Sequence, residues 1–155
     1  MVDTRAVVDA WLEALEQKDA EKALSLLTDD VILQAESMEQ PITGKQPIQP
    51  MFASFLDACE SIRFEREKML VSDREAAVLA KARVKLRSDL EIMGEKLPTA
   101  GKELRVWAAL FFVVNEQGQI TELTRVRDSW EIMRQLGIPP ERVQSLVRKL
   151  ERKPS

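Results

Sequence analysis

"ELRVWAALFFVVNEQGQITELTRVRDSW", residues 103–130, decides the fold. Its first part, 103–114, is apolar on both faces, as a strand in the middle of a sheet should be. "NEQG" is a hairpin turn, and 119–127 reads as the returning strand. On that strand Thr121, Leu123, Arg125 and Arg127 share one face, and Glu122, Thr124, Val126 and Asp128 share the other. If the Leu123 face looks into the core, Arg125 points into an apolar interior. A guanidinium there does not shed its proton, so it needs a partner: Glu36, Asp128 or an anionic ligand.

Working upstream, the period of two continues. Residues 61–71 and 76–88 form two strands around "SDRE". In the second, Ala80, Ala82, Val84 and Leu86 alternate with Lys81, Arg83, Lys85 and Arg87, so one face is apolar and the other basic. The basic row is a solvated outer face or a contact for an anionic partner. Residues 89–102 read as loop. Before these strands the period is helical: Val8, Trp11, Leu12 and Leu15 share a face of a helix over 4–17, and Asp19 caps a second helix ending near Leu27. "VILQAE" (31–36) is a strand. Met51, Phe52, Phe55, Leu56 and Cys59 mark a third helix from about Gln46. After the last strand comes a helix ended by Gly137, then an amphipathic helix over 140–152. Helices followed by a run of strands define an α+β fold, with helices on one face of a curved antiparallel sheet. Alanines on the inner sheet face would leave a hollow, or simply let a helix pack close.

Composition narrows the chemistry. The 155 residues carry 26 acids and 23 bases, and neither histidine nor tyrosine occurs. That excludes Ser-His-Asp and Cys-His catalysis, His-ligated metal and a tyrosine oxyanion donor. Acid–base work would fall to Asp, Glu, Lys or the thiol. The slight negative charge offers no general attraction to nucleic acid. No apolar run suits a membrane span, and the charged opening "MVDTRAVVDAWLEALEQ" is not expected to be a secretory leader. The lone Cys59 rules out an internal disulfide, fits a cytoplasmic setting, and lies on a helical apolar stripe as core filler.

Three segments, "WLEALEQKDAEKALSLLTDDVIL" (11–33), "ITGKQPIQPMFASF" (42–55) and "VNEQGQITELTRVRDSWEIMRQLG" (114–137), resemble the nuclear transport factor 2-like superfamily. It includes ketosteroid isomerase, limonene epoxide hydrolase, scytalone dehydratase and the SnoaL-like polyketide cyclases. The resemblance implies a cone-shaped, cystatin-like α+β barrel over residues 1–138, with 139–155 as a helical extension. It also implies a homodimer formed through the open sheet face.

Position by position, the resemblance departs from the superfamily's mechanisms. Trp11 stands where ketosteroid isomerase has its tyrosine, Ala35 where it has its base, and Leu110 near its second oxyanion donor. Arg125 replaces the final-strand aspartate of the epoxide hydrolase and the cyclases. Phe111 falls near a cyclase histidine, and Arg83 with Lys85 at an Arg-x-Asp pair. What it leaves is a pocket for a small apolar or anionic organic ligand, with Glu36, Arg125 and Asp128 as the catalytic candidates. Trp11, Phe55, Trp107, Phe111 and Leu123 are the expected lining. No cofactor or metal is expected. A non-catalytic ligand carrier or accessory module of the same fold is the alternative.

Overall fold

The computed structural model describes residues 1–92 and 95–151. Asp3 caps helix α1 (Thr4–Glu16), its carboxylate accepting from the Ala6 N–H at 3.0 Å. The expected stripe is buried: Val8, Trp11, Leu12 and Leu15 all face inward. Asp19 caps the short α2 (Ala20–Ser25) through the Lys22 N–H. The second helix therefore ends earlier than its pattern suggested. Strand β1 (Leu27–Ala35) takes in Thr28, Asp29 and Asp30 and so begins four residues before the expected 31. Ile42–Thr43 form the two-residue β2, and Gly44, at φ +100°, makes the turn into α3 (Lys45–Ala58). Pro50 sits inside α3 and forfeits one backbone donor there.

The long strands follow: β3 (Cys59–Ser72), β4 (Glu75–Leu86), β7 (Glu103–Val114) and β8 (Ile120–Arg127). The segment expected as loop between β4 and β7 holds a small hairpin of its own, β5 (Leu90–Ile92) with β6 (Glu95–Leu97). The main sheet has the order β2-β1-β8-β7-β4-β3. It is not closed, and it is not wholly antiparallel as expected: β1 runs parallel to β8. Bulges between Cys59 and Ser61 and between Arg66 and Lys68 help to bend β3 around the helices.

Pairing fixes which face looks inward. Along β4, Ala76, Val78, Ala80, Ala82, Val84 and Leu86 are buried. Their partners on β7 include Ala108, Leu110 and Phe112, all buried. Trp11 stands edge-on to Phe112 at 5.6 Å and to Phe52 of α3 at 6.1 Å, joining both helices to the sheet. Helix α4 (Ser129–Leu136) caps the end of β7 that β8 does not reach. Its Gln135 imitates a strand neighbour, accepting from the Arg105 N–H at 2.8 Å and donating to the Arg105 carbonyl at 2.9 Å. Gly137, left-handed at φ +71°, ends α4, and α5 (Pro140–Glu151) follows.

Candidate functional site

Strand β8 carries the site. Leu123, Arg125 and Arg127 face inward, paired in register with Phe112, Leu110 and Ala108 of β7. On its other side Arg125 pairs with Ala35, the last residue of β1. The next residue of the chain, Glu36, brings a carboxylate to the same end of the sheet. Its backbone is open, but its side chain is only 19% exposed.

Two groups hold Glu36. Ser129 Oγ, at the start of α4, donates to Glu36 Oε1 at 2.8 Å, and Arg127 Nε lies 3.5 Å from the same oxygen. The acid expected for Arg125 is thus engaged by Arg127. Asp128, the other acid considered, is exposed, and its carboxylate accepts from the Glu131 N–H at 3.0 Å as the N-cap of α4. Arg125 forms no ion pair among the described residues, and its Nε is buried without an acceptor. The Nε atoms of Arg66 and Arg127 and the Trp11 indole N–H are likewise buried without a hydrogen-bond acceptor, so what sets Arg125 apart is the lack of an ion pair and not its Nε. Burial, then repulsion from Arg127, push the Arg125 pKa down to about 10, and Glu36 pulls it partly back. At neutral pH the group is still a cation.

A third arginine of the inner face is held differently. Arg66 of β3 has Asp9 at 3.2 Å and Glu16 at 3.2 Å, both from α1. The charge at Arg66 is met by two acids, whereas Arg125 has no ion pair among the described residues.

The expected lining residues divide. Trp11 and Leu123 are buried on the Arg125 side. Trp107 and Phe111 are not there: they are 51% and 50% exposed on the opposite face of the sheet. A strand apolar on both sides carries no phase of its own, and pairing of Trp107 with Lys81 turns the odd residues of β7 outward. Phe55 is also largely exposed on α3, whose buried positions are Ile48, Leu56 and Ala58, with Phe52 packed against the core. Sequence reasoning left out two residues that the structure places at the site. Arg127 was visible in the alternation of β8. Ser129 had no signal, because its position depends on where α4 docks.

Outside, Trp107 lies under the Lys81 ammonium, 4.9 Å from its ring centre. With Arg63, Arg83 and Arg105 they line a shallow hollow of about 370 Å³ on the outer sheet face.

A bent, open sheet folded over an N-terminal helix pair, with polar groups placed at one end of an apolar interior, defines a cone-type α+β protein. The family model of the SnoaL-like domain matches residues 8–123, and the chain belongs to that family, within the nuclear transport factor 2-like superfamily. Among solved structures, a proposed polyketide cyclase from Pseudomonas putida is 24% identical, with TM-score 0.69, covering 87% of this chain and 98% of that one. A proposed SnoaL-like polyketide cyclase from Shewanella denitrificans is 13% identical, with TM-score 0.73, covering 86% and 96%. An LEH-like epoxide hydrolase from M. tuberculosis is 14% identical, with TM-score 0.67, covering 97% and 96%. At these identities the likeness concerns the fold. No curated protein matches the sequence.

Proposed function

We propose that the chain takes an apolar, oxygenated organic molecule into its interior and carries out acid–base chemistry on it: a cyclisation, an isomerisation or an addition of water. One observation carries this reading. The Nε of Arg125 is buried and unpaired, on a side chain that is itself half-buried, while the neighbouring acid is held by Arg127. In this reading the Arg125 guanidinium donates to a ligand oxygen and stabilises negative charge developing on it, in an interior where such donors act strongly. Glu36 moves the proton. Ser129 and Arg127 hold its carboxylate in one orientation, and both would release it partly as it becomes neutral. Asp128 serves by capping α4 and thereby positioning Ser129. The resemblance to cyclases and an epoxide hydrolase, in fold, agrees with this class of chemistry. Glu36→Gln tests it: turnover is expected to vanish in a protein that still folds.

The same clamp on Glu36 favours a second reading, in which the pocket binds a ligand and converts nothing. Native mass spectrometry that finds a retained ligand, with no turnover of that ligand or its analogues, would select it.

We also propose a homodimer through the outer sheet face. Leu79, Trp107, Phe111 and Val126 form an exposed apolar band there. Arg63, Arg83 and Arg105 stand side by side at one end of the face, and Glu75 and Glu122 lie at the other, flanking Val113. A second copy turned through a two-fold axis would set the basic row of each against the acidic row of its mate.

A further inference from the structure

We infer that the interior ligand carries a standing anionic group, a carboxylate or its equivalent, and that Arg125 receives it. This rests on the pocket reading above and narrows its ligand to an apolar organic acid.

Charge is the first argument. At the β1–β8 end of the interior, two guanidiniums, Arg125 and Arg127, face one carboxylate, Glu36. Even a half-buried cation without a counterion is unfavourable, and arginine does not relieve it by losing a proton at neutral pH. The same inner face shows what a structural arginine looks like in this chain: Arg66 is met by Asp9 and Glu16 together. Arg125 has only apolar cross-strand neighbours, Ala35 and Leu110. A neutral carbonyl would satisfy one of its donors and leave its charge. An anion answers both.

Geometry is the second. The unpaired Nε of Arg125 belongs to a planar fork in which Nε and one terminal nitrogen match the two oxygens of a carboxylate. Ala35 beside Arg125, and Ala108 beside Arg127, present short side chains where that group would approach. The third argument comes from Trp11. Its indole N–H is buried without an acceptor, among the aromatic rings of Phe52 and Phe112. Phe112 pairs with Leu123, one inner position from Arg125. A ligand whose acid meets Arg125, and whose apolar body lies against Leu123 and Trp11, would satisfy this donor with a second oxygen, a hydroxyl or a ketone.

The test compares 1-naphthylacetate with 1-naphthylacetamide, which share an apolar body and differ in charge, by calorimetric titration of the full chain at neutral pH. The acid is expected to bind about tenfold tighter or more, as a charge-assisted pair adds over a neutral one. In Arg125→Gln that preference should disappear, and in Arg63→Gln, on the outer face, it should persist. Should Arg125→Gln fold poorly, Arg125→Met takes its place, with the acid expected to raise the melting temperature of the unaltered chain but not of the variant. Equal binding of acid and amide would overturn the inference and leave the pocket reading standing. So would an acid preference that survives loss of Arg125. Failure of both compounds to bind would remove the pocket reading, and this inference with it.

Discussion

Arg127 Nε lies 3.5 Å from Glu36 Oε1, while Arg125, one inner position earlier on the same strand, faces Ala35 and Leu110. One guanidinium of the pair is met by an acid of the chain, and the other has no ion pair among the described residues.

Glu36→Gln should leave the fold intact and remove turnover. It deprives Arg127 of its partly buried counterion, so unfolding stability should fall by about 1–3 kcal/mol. Denaturant titration alongside product assay checks both. Full activity in the variant would remove Glu36 as the base.

Asp128 is given a structural role, and amide substitution separates that from a chemical one. Asp128→Asn keeps an N-cap and should keep both stability and activity. Asp128→Ala should lower stability by about 1 kcal/mol through loss of the cap. Activity abolished in Asp128→Asn would show that the carboxylate itself takes part.

Cys59 is buried, and desolvation raises its thiol from 9.0 to about 11 against the opposing pull of Lys18 and Arg87. A raised pKa on an acid means that the folded state keeps its proton after the unfolded state has lost it. The thiol's contribution to stability is therefore complete below about pH 9 and lost as pH rises through about 11. Stability measured from pH 8 to 11 should fall more steeply in the unaltered chain than in Cys59→Ala. A thiol reagent at pH 8 should react at the rate of unfolding.

Phe111→Glu and Leu79→Glu place charge in the exposed apolar band of the outer face. Sedimentation should show a dimer for the unaltered chain and a monomer for either variant, with the melting transition of the monomer still cooperative. A monomer in both cases would remove the proposed interface.

Much of this fold was legible because its strands differ in periodicity. In β4, alternation of Ala80, Ala82 and Val84 with Lys81, Arg83 and Lys85 fixed the phase before any pairing was known. In β8, Leu123 among polar neighbours did the same, and Arg125 and Arg127 followed inward. β7 offered no such contrast, so Trp107 and Phe111 were assigned to the wrong side. Only the register with β4 resolves them. The parallel pairing of β1 with β8 joins segments some ninety residues apart, and nothing local announces it. The partner of Glu36 was missed for a related reason. Three cations and donors lie close along 125–129, and tertiary docking alone decides that Arg127 and Ser129 reach it.

The unfolding free energy of Arg125→Met, measured without ligand, tests the central claim most directly. Methionine keeps much of the buried stem and removes the charge. If Arg125 is reserved for an external anion, the ligand-free variant should be at least as stable as the unaltered chain. If Arg125 were half of an internal ion pair, its loss would strand a buried carboxylate and lower stability by about 3–5 kcal/mol, and the account would be contradicted.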